Sequence, residues 1–363
     1  MNAPAEMLKL AKPTPEAIDQ RDKELRELCT TIERRFKLIW SPYWTAEIYG
    51  FGLQLSRYGF YPYCLPLCVY TDHGPGYYNE IPKHELESDA PVQLYHSPVS
   101  LELWRKASKK RAYCMFSPTV YYRRRKKIKQ SPDAKGTIIF PAHSTPSIDD
   151  LSGYKRYIQQ LKRLPVSFHP MTVCMHMHDI KKGLHLSFLN AGFEVVSAGN
   201  GEVDQRFIER LYNILKQYKY GTSNILGSYM FYSIEMGIPF FLYGSEPSWH
   251  NHSDENVKKG QYAPWEDSGY RKTAKLFTYE LFYGQCPEIT NEQRVYVHRH
   301  LGLDDGISRI KMAWVLYSSF FIWLKRSYNF KNFIWNNAVT IKLRNRFRWI
   351  KKFKKLFKTT SNK

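Results

Sequence analysis

The chain has 363 residues, is 43% hydrophobic and 24% charged, and carries a net charge of +21. That much apolar side chain supplies the cores of two ordinary domains or one large one, and it excludes disorder as the default. The charge is uneven: residues 306–363 hold fifteen Lys or Arg and no Asp or Glu, which leaves +6 on the preceding 305 residues.

The N-terminal stretch is polar and charged, with no apolar core of a signal peptide, so a cytosolic chain is expected. Residues 15–37 read as a polar helix laced with charge pairs. FKLIWSPYWTAEIYGFGLQLSRYGF is aromatic and broken by Gly and Pro. Residues 64–70 read as a buried strand running into the loop TDHGPGYYNEIPKHE, which gathers Asp72, His73, Glu80, His84 and Glu85 around a Gly/Pro turn. That loop suits a general base or nucleophile, or else is a solvated turn. PVQLYHSPVSLELWRKAS reads as a strand and then a helix capped by Ser97 with Pro98 at its first position. RRRKK at 123–127 reads as a solvated linker, with a polyanion contact as the alternative.

From residue 136 the rhythm is regular. GTIIFPAHST, MTVCMHMHD, FEVVSAGN, YGTSN and IPFFLYG read as strands. DDLSGYKRYIQQLKRL, IKKGLHLSFLNAG, DQRFIERLYNILKQY and ILGSYMFYSIEMG read as the helices between them. Such alternation predicts a parallel sheet covered on both faces, with ligands beyond the carboxyl ends of its strands. Those ends bear His143, Ser144 and Thr145; His176, His178 and Asp179; Gly199 and Asn200; Thr222, Ser223 and Asn224; and Glu246. Alternation along a strand would point His176 and His178 to one side. They suit a sugar or phosphate neighbour, a satisfied buried position, or a zinc site lacking an obvious third ligand. At 222–229 the small residues, with Gly227, Ser228 and Tyr229, are either a plain helix cap or a cradle where free amides and the helix dipole hold a phosphate. Neither GxGxxG nor GxxxxGK[ST] is present.

The six cysteines are scattered and fit free thiols in a reducing compartment. The longest apolar run, residues 312–324, falls short of the roughly 17–25 residues that span a bilayer. FRWIKKFKKLF, in the basic aromatic tail, places its apolar residues on one helical face, as in helices lying in a membrane interface. Nucleic acid is the weaker reading of the tail, since so many aromatics favour insertion over phosphate tracking.

The succession HST, VCMHMHD, VVSAGN with its DQRFIERLY helix, and TSNILGSYMFY with IPFFLYG resembles the C-terminal nucleotide-sugar domain of GT-B glycosyltransferases of bacterial surface polysaccharide synthesis. The capsule and O-antigen enzymes related to Kdo transferases are most similar, and sialyl- and polyol-phosphate transferases more generally. The resemblance covers residues 136–247. It implies that Ser223, Asn224, Gly227, Ser228 and Tyr229 hold a donor phosphate with His143, Ser144, His176 and His178 nearby. It places the catalytic group on the other domain, where Asp72, His73 and Glu80 stand. It also implies no required cofactor and no metal, consistent with the lack of a DxD triplet.

The expectation is therefore an α/β, GT-B-like chain with two Rossmann-like domains and a crevice between them. Its parts are an acceptor-side domain (1–135), a donor domain (136–285), and returning helices with a membrane-associating tail (286–363). Its expected activity is transfer of a sugar such as Kdo from a CMP-linked donor to a lipid-linked glycan, at the inner face of the cytoplasmic membrane and beside other polysaccharide-assembly enzymes. A nucleic-acid-binding α/β protein and a phosphotransferase or hydrolase on the same sheet are the alternatives.

Overall fold

The structure is a computed structural model, and it describes residues 10–75, 81–255, 258–263, 278–285 and 287–326. The amphipathic helix expected at 347–357 and the residue Glu80 lie outside the described residues.

Two parallel sheets were expected and two are present. The smaller contains β1 (Tyr70–Thr71), β2 (Gln93–Tyr95) and β3 (Ala112–Cys114), paired in that order. The larger is built from β4 (Thr137–Phe140), β6 (Met171–Cys174), β7 (Glu194–Val196), β8 (Tyr220–Ser223) and β9 (Phe240–Leu242). Its order is β7-β6-β4-β8-β9, all parallel. The order reverses at β4, so the carboxyl ends of β4 and β8 flank a topological switch point, where ligands of open α/β sheets bind. Between β4 and β6 the chain adds β5 (Ile148–Asp150). β5 pairs antiparallel with β10 (Trp249–Asn251), which in turn pairs with β11 (Gly260–Tyr262). Asp149 and Asp150 are thus strand residues, not the helix start expected from DDLSG. The following helix begins at Lys155.

Both faces of the larger sheet are buried, which its apolar strands require. Ile138, Phe140, Cys174, Phe240 and Leu242 enter a core shared with Leu67, Val69, Val92 and Leu94 around the smaller sheet. Ile139, Val173, Val195 and Phe241 face a second core. The helix Pro15–Thr30 joins that second core through Leu25 and Cys29, although it precedes the smaller sheet in sequence. Its charge pairs include Arg21–Glu24 and Arg26–Asp22.

Local chemistry sets several element ends. Ser97 caps the helix Pro98–Ala107 through the amide of Val99, as expected. Ser117 caps Pro118–Lys126. The basic cluster at 123–127 closes that helix and is no linker: Arg123 makes a forked pair with Glu235, and Arg124 reaches the same carboxylate at 3.1 Å. The pair ties this helix to the helix Ser228–Met236, which ends at Gly237 with φ 95. The single helix expected over 180–192 is split into Met177–Lys181 and Leu186–Asn190, separated by Gly183 at φ 76. Late in the chain, Arg309–Arg326 packs on Phe51–Tyr58, where Gly59 lies close against Leu316 and Met312. The five described cysteines are free thiols.

Candidate active site at the facing strand ends

The loops that leave the carboxyl ends of β4 and β1 are each held by a buried carboxylate. After β4, Ser144 donates its amide (2.8 Å) and its hydroxyl to Asp179, whose side chain is buried. Ala142 donates its amide to Asn224 Oδ1 at 2.8 Å and accepts from the Tyr154 hydroxyl, also at 2.8 Å. The loop backbone is consumed by these bonds, and His143 is left exposed. Burial raises the Asp179 carboxyl, while Ser144 and His143 act against that rise. Its second oxygen has no hydrogen-bond partner among the described residues.

His176 does not continue β6 as the alternating pattern predicted. It is the N-cap of Met177–Lys181, with its Nδ1 accepting from the His178 amide at 3.4 Å. The three imidazoles still assemble: His143 stacks on His176 with centroids 4.2 Å apart, and His176 and His178 are 4.9 Å apart. Burial first, then the charges of His143, His178 and Lys181, hold His176 well below the usual histidine range. His178 is lowered too, again chiefly by burial. Neutral rings of this kind can donate to or accept from a phosphate or sugar oxygen without the cost of burying charge.

Beyond β8 the expected donors divide. The Thr222 hydroxyl donates to the Phe241 carbonyl inside the sheet. Asn224 is a clamp between loops, accepting from Ala142 and donating to the Ser245 carbonyl at 2.9 Å. Ser223 Oγ accepts from the Ile225 amide and shares a 2.8 Å bond with the Tyr229 hydroxyl. The Tyr229 ring stacks on Phe140 at 4.5 Å and folds back over Gly227, where any Cβ would fall 2.4 Å from it. These four residues build the site's walls.

What remains open is the start of Ser228–Met236. Its N-cap is Gly227, without any side-chain cap, so the reading of a plain Ser/Asn cap fails. The first amides of a helix have no intrahelical partners, and a small, uncapped N-terminus leaves them for an anion. The Ser228 hydroxyl makes no hydrogen bond among the described residues.

At the smaller sheet, the carboxyl end of β1 delivers Asp72, His73 and Gly74. Asp72 turns inward. It accepts the His96 amide (3.1 Å) and pairs with His96 Nδ1. Thr71 is held to Thr45 through its amide and its hydroxyl. His73 projects outward against Trp44, centroids 4.7 Å apart. Partial desolvation, and secondarily the charge of His84, hold its imidazole below the usual histidine range. Asp72 is thus committed to His96, and His73 is the exposed imidazole of the loop. Its neighbour Glu85 is buried beside Asp72 and accepts from the Tyr95 hydroxyl at 3.0 Å. Burial and the Asp72 charge push Glu85 up to about 8.

The two sets of strand ends meet. A Cβ on Gly74 would lie 2.7 Å from Ser228 Oγ and 3.7 Å from the Tyr232 hydroxyl. The His73 loop therefore touches the uncapped helix terminus. Gly199 and Asn200 serve the turn after β7: Gly199 has φ 84, and Asn200 accepts the Glu202 amide and donates to the Cys29 carbonyl. Thr145 caps its own loop through the Ser147 amide, and Glu246 is exposed in the loop after β9. His96 was missed by the sequence reading. A histidine after a short strand carries no local signal, and its role depends on Asp72, 24 residues away.

Among the described residues no group of three or more His, Cys, Asp or Glu is placed to hold a metal ion. No family model and no curated protein matches the chain. Among solved structures, one of the wall teichoic acid polymerase TagF, soaked with CDPG, aligns over 85% of this chain and 96% of its own. The TM-score is 0.42 and the identity 12%.

Proposed function

We propose that the chain is a GT-B-type transferase that moves a sugar from a nucleotide-linked donor to an acceptor hydroxyl in the crevice between the two parallel sheets. The observation that carries this reading is the apposition of Gly74 and Ser228. It brings the His73 loop to a helix that offers uncapped amides at the switch point of the larger sheet.

In this reading the donor phosphate lies at the amides of Ser228 and Tyr229, assisted by the Ser228 hydroxyl. His143, His176 and His178 line the same edge. Neutral His73 takes the proton of the acceptor hydroxyl as that oxygen attacks the anomeric carbon. The bond from that carbon to the phosphate oxygen breaks, and its electron pair goes to the departing nucleotide. The charge developing there is stabilised by the helix amides and dipole. Asp72 holds the loop and stays out of the chemistry. The family resemblance favours a CMP-linked acidic sugar such as Kdo as donor and a lipid-linked glycan as acceptor.

A thermal-shift screen of CMP, CDP, UDP and GDP, with their sugars, tests the donor site. One nucleotide should raise the melting temperature, and Ser228→Ala should weaken its calorimetric affinity. His73→Asn should leave that affinity intact and abolish transfer. Affinity unaffected by Ser228→Ala, or transfer surviving His73→Asn, removes the assignment.

A further inference from the structure

The helix Arg309–Arg326 is apolar on two sides. Met312, Val315, Leu316, Ser319 and Phe320 are buried against the body of the protein. On the other side Ile310, Trp314, Tyr317 and Phe321 stand 80%, 47%, 37% and 62% exposed. Their spacing of four, three and four places them in one narrow stripe. A helix apolar all round ordinarily lies in a core or a bilayer, yet no described helix is long and apolar enough to cross a membrane.

The stripe is extended by Phe60. This side chain is 59% exposed, and its backbone is held at φ 48, a left-handed conformation that disfavours a bulky residue. The helix itself fixes it there. The Tyr317 hydroxyl donates to the Phe60 carbonyl at 3.1 Å, and the Arg309 guanidinium lies 4.0 Å above its ring. Strain and exposure are both accepted in order to present one more aromatic side chain beside the stripe.

Charge identifies the occupant. Lys311 sits in the first turn, where the helix dipole disfavours cations, so helix stability does not explain it. Arg309 beside it donates to the Tyr58 and Arg57 carbonyls at 3.0 and 3.1 Å and keeps its charge beside the Phe60 ring. Lys311 lies 4.3 Å from the Trp314 ring. Lys325 and Arg326 end the helix, and residues 327–363 add eleven Lys or Arg with no acidic residue. Aromatic and aliphatic side chains flanked by cations, on a helix that itself carries no carboxylate, match an anionic lipid headgroup layer over its acyl boundary.

We propose that Phe60 and the Ile310–Trp314–Tyr317–Phe321 stripe form a face that docks on an anionic phospholipid bilayer and lies in its interface.

The test is sedimentation of the full chain with vesicles of phosphatidylglycerol and phosphatidylcholine, against vesicles of phosphatidylcholine alone. The parent should partition onto the anionic vesicles and weakly onto the neutral ones. Trp314→Glu with Phe321→Glu should lower that partition by about 100-fold, the effect of withdrawing two large side chains from an apolar layer. Val166→Glu with Val295→Glu makes the same charge change at exposed apolar residues on other elements, and should behave as the parent apart from a small charge effect. If the first pair lowers the melting temperature, Trp314→Gln with Phe321→Gln is read instead, with the same expected loss. Three results overturn the proposal: stripe variants that bind like the parent, equal binding to both vesicle types, or binding to short RNA or DNA with none to vesicles. The vesicles contain no nucleotide and no acceptor, so the outcome is independent of the transfer reaction.

Discussion

The contact between Gly74 and Ser228 can be measured as a coupling. Gly74→Ala places a Cβ 2.7 Å from Ser228 Oγ, while the next atoms, Ser228 Cβ and the Tyr232 hydroxyl, lie at ordinary separations of 3.5 and 3.7 Å. The conflict is therefore with a single hydroxyl. Forcing one methyl into such a space costs about 1–3 kcal/mol. Removing the hydroxyl by Ser228→Ala relieves it, so the double variant should be more stable than the sum of the single changes predicts, by about 1 kcal/mol. Any backbone cost of alanine at φ 158 is common to both arms of the cycle and cancels. Urea unfolding of the four proteins gives the coupling. Nucleotide calorimetry gives a second readout that does not recover: Gly74→Ala weakens binding by displacing Ser228, and the double variant lacks the hydroxyl altogether. Stabilities that add within about 0.3–0.5 kcal/mol, the scatter of independent sites, would show that the loop and the helix terminus do not touch.

Two further perturbations probe the frame around the site. Arg123→Ala leaves the Glu235 carboxylate, 2% exposed, with Arg124 as its remaining cation. It should cost about 3 kcal/mol in urea unfolding, the low end of the range for breaking a buried pair because Arg124 is retained; a loss under about 1 kcal/mol would contradict the burial. Glu85 is raised from 4.5 to about 8, so the folded chain keeps a proton that the unfolded chain releases in that window. Its contribution makes stability fall as pH rises from about 4.5 to about 8, by at most about 1.4 kcal/mol per unit. Glu85→Gln should flatten that slope between pH 5.5 and 7.5, and an unchanged slope would place the titrating group elsewhere.

The larger sheet was legible because its signal is local and repeated. Apolar strands such as TIIF and FFL alternate with helices of core-facing period, and a parallel sheet follows from that alone. The smaller sheet was harder to read. β1 holds two residues in strand geometry, and the buried run before it, Leu67 to Val69, packs without pairing. Two departures share one cause: DDLSG and the arginines of RRRKK take their states from distant partners, whereas the histidines of MHMH leave the strand because His176 caps the next helix locally. Asp149 is a strand residue because Trp249–Asn251 pairs with β5, and Arg123 is ordered by Glu235, 112 residues away. Sequence windows see propensity, and tertiary contacts override it.

The same logic divides the polar strand-end residues into those bonded within the fold and those left exposed. A histidine can approach a substrate from a loop only if the loop backbone is already fixed, since ordering it at the moment of binding would cost affinity. The loops after β4 and β1 each pair a buried carboxylate with an exposed imidazole. Asp179 fixes Ser144 and leaves His143 outside; Asp72 takes the amide and ring of His96 and leaves His73 outside. The carboxylates look catalytic in sequence because Asp beside His is the pattern of a charge relay, yet neither is bonded to the exposed ring it accompanies. Their contribution lies in positioning, through amides and hydroxyls that would otherwise be unpaired in a buried crevice. Two imidazoles, His143 and His73, are thereby left exposed, and Gly74 brings the loop of the second into contact with the uncapped helix terminus.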